Sequence, residues 1–149
     1  MSAKESMKLN LWILAVTIIL PVGVFAAIYE RAFLPEAQEL LLSDGVYTDN
    51  QSSRGRRVYR RACESCHAAG LEGSEQGPSL YGEAFINGWD GEVLAEIMSL
   101  ISNTMPAENP GGLSSENYVD VLAYILQVNG FPAGNELTQE AMDRILVGF

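Results

Sequence analysis

The stretch Cys63-Glu64-Ser65-Cys66-His67 constrains what this chain can fold into more than any other feature. Two thiols separated by two residues, followed at once by an imidazole, form the C-x-x-C-H pattern through which a c-type haem is attached. The spacing suits this chemistry, because two thiols on one helical turn reach the two vinyl groups of the porphyrin while the imidazole reaches the iron. The motif therefore predicts one covalent haem c, with Cys63, Cys66 and His67 as its attachment and ligand residues.

Two other interpretations compete for the cysteine pair. Zinc usually needs four protein ligands in a structural site, and a chain with two cysteines and one histidine does not supply them. A redox dithiol would sit beside a βαβ pattern, and none is visible around these residues. A haem-free thiol–disulfide protein that uses Cys63 and Cys66 stays open as an alternative.

The second axial ligand of such a haem is found by elimination. His67 is the single histidine, which excludes a second imidazole from this chain. The two lysines, Lys4 and Lys8, stand at the N-terminus beside an apolar segment. The thioether of methionine remains, and it is the ligand that pairs with histidine in many c-type haem sites and raises their reduction potential.

Met105 is the methionine that fits this role. It lies in a loop where Pro106 and Pro110 restrict the backbone, which an ordinary loop methionine does not require. Met98 falls within a helical apolar pattern and is typical of a core residue, and Met142 also sits in the middle of a predicted helix. We therefore predict His67 and Met105 as the two iron ligands.

The N-terminal part of the chain predicts a membrane anchor. Residues 11–29 carry no charge, and as a helix they would span about 28 Å, close to the thickness of a bilayer core. Trp12 and Tyr29 near the two ends suit the membrane interfaces. A cleaved signal peptide ending near Ala26 is the alternative, but the apolar run is longer than such segments usually are. We predict a single transmembrane helix within residues 1–29.

Orientation follows from the N-terminal lysines, which favour a cytoplasmic N-terminus. The prediction is a single-pass protein of the bacterial inner membrane whose haem domain lies in the periplasm. Residues 30–47 read as a connector, with a short helix over 34–42 opened by Pro35. Residues 48–149 are then the haem domain.

The pattern of the haem domain is all-α, with no convincing strand. Thr48 and Gln51 match a capping box for a helix that runs into Cys63, and Ser114 caps a helix that continues to about Val128. Two further helices are predicted over residues 91–102, with Asp90 as the cap, and 139–147. Between them the chain is rich in glycine and irregular.

These features resemble those of class I, mitochondrial-type c-type cytochromes. The likeness covers residues from about 46 to 149, and its signs are Gly55, Tyr59, the Cys63–His67 motif, Gly77-Pro78-Ser79-Leu80, the Met105 loop and Tyr124. The runs from Thr104 to Ser114 and from Tyr118 to Pro132 are similar to single-haem cytochromes that serve bacterial quinoprotein dehydrogenases.

The resemblance implies the class I cytochrome c fold around one haem, and a role for Pro78. Its carbonyl should accept a hydrogen bond from the proximal imidazole of His67, which fixes the orientation of the ring. One departure stands out, because the glycine that commonly follows the motif histidine is Ala68 here.

Single-electron transfer is the function that this ligand set predicts. Iron held by His67 and Met105 has no vacant position for oxygen, peroxide or substrate, but it can alternate between two oxidation states. We therefore expect an electron carrier rather than an enzyme. A peroxidase-like haem enzyme with a labile Met105 is the alternative, together with the haem-free protein named above.

The charge distribution bears on partners. The chain has a net charge of −10, yet residues 53–61 contain five arginines and no acid, whereas residues 62–149 contain thirteen acids and Arg144 as the single base. The acidic surface either serves solubility alone or docks to a basic patch of a redox partner near the haem edge, and the arginines beside the motif could instead balance the haem propionates. We expect no nucleic-acid partner. The expected partners are a quinol–cytochrome c oxidoreductase or quinoprotein dehydrogenase as donor, and a terminal oxidase or photosynthetic reaction centre as acceptor. The chain is expected to be a subunit of a larger membrane complex.

Overall fold

A computed structural model of the chain describes residues 39–148. These residues fall in one compact unit that begins at Glu39. Five α-helices follow one another between two very short strands, and a 3-10 turn lies beside each strand. In chain order the elements are β1 (Leu40–Leu41), a 3-10 turn (Leu42–Asp44), α1 (Asp49–Ala62), α2 (Glu64–His67), α3 (Glu83–Asn87), α4 (Leu94–Thr104), α5 (Ser115–Val128), a 3-10 turn (Gln139–Arg144) and β2 (Ile145–Leu146).

The two long helices begin where the sequence predicts. The Thr48 hydroxyl accepts a hydrogen bond from the Gln51 N–H at 3.3 Å, and the Gln51 side chain accepts one from the Thr48 N–H at 3.1 Å. Ser114 caps α5 in the same way, because its hydroxyl accepts from the Asn117 N–H at 3.3 Å. Both caps satisfy N–H groups that have no partner within the helix.

Helices α1 and α5 form the main packing interface of the domain. They approach most closely at Gly55, where an added Cβ would overlap the backbone of Asp120. Asp120 is buried beside this crossing and receives two hydrogen bonds of 2.7 Å from Arg54. The buried carboxylate is thus paired, as a charge in the interior must be.

The domain begins earlier than the predicted boundary at residue 48. Leu42, Val46 and Tyr47, which we assigned to the connector, are buried in the core. The Tyr47 hydroxyl donates to the Phe131 carbonyl at 2.6 Å. The described end of the predicted 34–42 helix is not helical, because Leu40–Leu41 pairs in parallel with Ile145–Leu146. Residues 39–47 therefore belong to the same compact domain as the helices.

The fold is mostly helical, and the all-α prediction needs a correction for the two-residue strands. The helix predicted over 91–102 begins instead at Leu94, since Gly91 and Val147 form a hydrogen bond of 2.9 Å between their backbones. The helix predicted over 139–147 is a 3-10 turn that ends at Arg144. In both cases contacts between distant parts of the chain replace the local helical bonds.

Within residues 39–148 no helix combines the length and the apolar character needed to cross a bilayer. The anchor predicted within residues 1–29 lies outside the residues that the structure describes, as does most of the predicted connector helix.

Candidate haem site

The C-x-x-C-H motif is placed by the end of the first long helix. Helix α1 stops at Ala62, and the Cys63 N–H still donates to the Tyr59 carbonyl at 2.8 Å. The chain then turns into the single helical turn α2, where the His67 N–H donates to the Cys63 carbonyl at 3.0 Å. Both cysteines and the imidazole consequently reach the same cleft.

This cleft encloses about 950 Å³ of non-atom space, including solvent at its mouth. Cys63, Cys66, His67 and Met105 all line it, so the structure brings the four predicted attachment and ligand residues together. Most of the remaining lining is apolar, and Glu108 is the one carboxylate among the lining residues. The apolar lining residues include Leu80, Leu100, Ile101, Leu113, Val121 and Ile125.

The His67 side chain is oriented by a backbone carbonyl. Its Nδ1 atom lies 2.8 Å from the carbonyl oxygen of Pro78, the contact that the resemblance implies. A carbonyl can only accept, so Nδ1 carries the proton and Nε2 keeps the lone pair that binds a metal. Gly77 fits closely against the ring, because an added Cβ would lie 3.1 Å from its Cε1 atom.

Met105 directly follows helix α4 as its C-cap residue. Its N–H donates to the Ile101 carbonyl at 2.9 Å, and its carbonyl accepts from the Tyr118 hydroxyl at 2.6 Å. Met98 and Met142 are separated from the cleft, since both are buried in the main core cluster. The structure thus distinguishes Met105 from the two other methionines that it describes.

Cys63 is poorly suited to act as the attacking thiol in thiol–disulfide exchange. The two cysteines are not joined in a disulfide, and burial together with the neighbouring Cys66 raises the pKa of Cys63 to about 11. The Cys63 thiol is therefore protonated at neutral pH, whereas the attacking species in exchange is a thiolate.

The described residues also contain no group of three or more His, Cys, Asp or Glu side chains arranged to hold a metal ion by themselves.

Sequence reasoning missed one feature of the site, the hydrogen bonds that Tyr118 makes to the Met105 loop. The Tyr118 hydroxyl donates to the Met105 carbonyl and accepts from the Leu113 N–H, so it bonds both ends of the Met105 loop. The residue type could have indicated these hydrogen bonds. A tyrosine at an otherwise apolar helical position has a hydroxyl that needs a hydrogen-bond partner when the side chain is buried.

The donor set fits a c-type haem. Two thiols, an imidazole whose Nδ1 is held by the Pro78 carbonyl, and a thioether line one largely apolar cleft. Apolar walls exclude water from a flat porphyrin, and the oriented imidazole is the ligand geometry that metal-binding histidines usually show.

A model of a known protein family matches the part of the chain that contains this cleft. Residues 50–125, about half of the chain, match the family described as cytochrome c oxidase, cbb3-type, subunit III. The chain belongs to this cytochrome c family. It is a mostly helical cytochrome c domain, and the family implies haem c as cofactor and electron transfer as function.

A solved structure shows the same fold. The chain is similar to a chain in the crystal structure of the sulfane dehydrogenase SoxCD from Paracoccus pantotrophus, with a TM-score of 0.52 and 20% sequence identity. The match covers 76% of this cytochrome and 61% of that chain, so this chain spans about three fifths of the length of the other. No curated protein sequence matches the chain.

Proposed function

We propose that this protein is a membrane-anchored cytochrome with one covalent haem c, which passes single electrons between redox proteins. The observation that carries the proposal is the convergence of Cys63, Cys66, His67 and Met105 on one apolar cleft. When bound, haem supplies reversible one-electron chemistry at its iron.

Different residues of the cleft would attach the cofactor, ligate its iron and orient the ligands. Cys63 and Cys66 would form the thioether links, and His67 and Met105 would be the axial ligands. The Pro78 carbonyl keeps the His67 ring in one orientation, which also raises the basicity of Nε2. The apolar walls keep water away and help to set the reduction potential.

The ligand assignment is tested by comparing two methionine variants. Met105→Ala removes the thioether that lines the cleft, whereas Met98→Ala removes one that is buried in the core, 7% exposed. We expect the ferric charge-transfer band of a methionine–iron bond to disappear in Met105→Ala and to persist in Met98→Ala. The opposite result contradicts the assignment. A pyridine haemochrome spectrum of the unaltered protein tests the covalent haem itself.

The membrane anchor is part of the proposal and rests on the charge-free residues 11–29. With Lys4 and Lys8 on the cytoplasmic side, the haem domain would lie in the periplasm of a bacterium. We expect the full chain to remain in the membrane fraction after an alkaline carbonate wash, with an intact mass that includes residues 1–29. Release into the wash, or a mass that lacks the segment, contradicts an anchor and supports a cleaved signal peptide.

The proposed partners are membrane redox proteins. The matched family is named for an oxidase subunit and the similar structure is a dehydrogenase, so both an acceptor and a donor class are represented among the relatives. A quinol–cytochrome c oxidoreductase or a quinoprotein dehydrogenase fits the donor side, and a terminal oxidase or photosynthetic reaction centre fits the acceptor side. Purification of the native membrane complex, followed by identification of the proteins that co-elute, tests this.

A further inference from the structure

The loop that carries Met105 is fastened by a single phenol. Tyr118 lies at the end of the first turn of α5, is 5% exposed and lines the cleft. Its hydroxyl donates to the Met105 carbonyl at 2.6 Å and accepts from the Leu113 N–H at 3.5 Å. One side chain therefore contacts both ends of the loop formed by residues 105–113.

The other hydrogen bonds of this loop are local. Met105 itself is joined to α4 through Ile101, and Asn109 donates to the Pro106 carbonyl at 2.8 Å within the loop. The Gly111 N–H adds a longer contact of 3.4 Å to the Met105 carbonyl. Among the described residues, Tyr118 is the one side chain that hydrogen-bonds this loop from a different helix. The Tyr118 hydroxyl is therefore the side-chain group that ties the Met105 end of the loop to α5.

We propose that Tyr118 is a positioning residue that keeps the Met105 thioether in the cleft. The inference rests on the proposed role of Met105 as an iron ligand. It adds that the ligand is held through its backbone, so that displacement of the thioether requires the Tyr118 bond to open as well. Loss of one net hydrogen bond shifts such an equilibrium by roughly threefold to tenfold.

The test compares two tyrosine variants of the haem-loaded protein. Exogenous imidazole binds the ferric iron only when the Met105 thioether has left it, so its affinity measures how firmly the thioether is held. We expect Tyr118→Phe to bind imidazole roughly threefold to tenfold more tightly than the unaltered protein. Tyr124→Phe is the matched control, since Tyr124 lies on the same helix, is 9% exposed, packs its ring against Tyr59 and is not among the residues that line the cleft. It should stay within about twofold.

If Tyr118→Phe and Tyr124→Phe bind imidazole with equal affinity, the proposal is overturned. Met105→Ala separates this failure from failure of the ligand assignment, because it should bind imidazole more tightly than Tyr118→Phe does. If Met105→Ala matches the unaltered protein, Met105 is not the ligand at all. A measurement on the unaltered protein needs no variant: the Leu113 amide should be protected from hydrogen exchange, and exchange at the rate of a free amide contradicts the tether.

Discussion

At the scale of single residues, Ala68 is under backbone strain that a glycine would relieve. Its φ of 64° and ψ of 165° fall in a region that is almost restricted to glycine. Its carbonyl is fixed there by the Tyr59 hydroxyl at 2.6 Å. Since the strain exceeds the entropy that glycine adds to the unfolded chain, we expect Ala68→Gly to increase the free energy of unfolding by about 1 kcal/mol.

Thermal unfolding of the haem-loaded protein measures this change. Ala84→Gly is the control of opposite sign, because Ala84 is exposed within helix α3 and glycine costs about 1 kcal/mol in a helix. A decrease of stability in both variants means that Ala68 is not strained.

The residues of the site differ in how far they could be predicted. Met105 followed from elimination, because a chain with one histidine offers few other iron ligands. The Tyr118 contact could not be predicted in this way, since tyrosine and phenylalanine give the same apolar pattern and the partner lies in a loop thirteen residues away. The conformation of Ala68 was equally hidden, although its place after the motif histidine marked it as unusual.

At the scale of helices, the crossing of α1 and α5 depends on Gly55. An added methyl group would overlap the backbone of Asp120, which is rigid and cannot move aside as a side chain does. We expect Gly55→Ala to lower the free energy of unfolding by about 3 kcal/mol, as overpacking against backbone does. Ser53→Ala, at an exposed position of the same helix, should change it by less than about 0.5 kcal/mol. Chemical denaturation of both variants makes the comparison, and an unaffected Gly55→Ala contradicts the close crossing.

The ends of elements show where local pattern stops being sufficient. Thr48 and Ser114 predicted the starts of α1 and α5 correctly, because a cap and its partner lie within three residues of each other. Asp90 failed as a cap, since the bond between Gly91 and Val147 holds that turn. The local sequence pattern could not predict the strand Ile145–Leu146 either, because its partner strand lies about a hundred residues earlier in the chain.

At the scale of the whole molecule, the exposed positive charge of the described domain is concentrated on α1, whereas acids prevail in the residues that follow. Four exposed arginines lie on one side of α1, namely Arg56, Arg57, Arg60 and Arg61. Glu64 lies 3.8 Å from Arg60, and Arg54 is already paired with Asp120. Thirteen acids distributed over residues 62–149 give the rest of the domain its negative charge. Such separation orients a charged partner before contact is made.

The negative part of this charge reaches the cleft, where Glu108 is the carboxylate among the lining residues. Because opposite charges attract at low ionic strength, reduction by the hexaammineruthenium(II) cation should slow as salt is added, and oxidation by the ferricyanide anion should accelerate. Glu108→Gln should slow reduction by the cation about twofold at low salt. The attraction between the cation and one carboxylate near the reacting edge changes the rate by about that factor in water.

Glu140→Gln makes the same change of net charge on the 3-10 turn, away from the residues that line the cleft. If both variants slow reduction by the cation equally, net charge alone explains the effect, and the cation does not approach preferentially at the cleft. If Glu108→Gln acts alone, the acids near the cleft direct the approach of the reagent, and a basic surface is the partner chemistry that the cleft favours. If neither rate changes with ionic strength, electrostatic docking is contradicted.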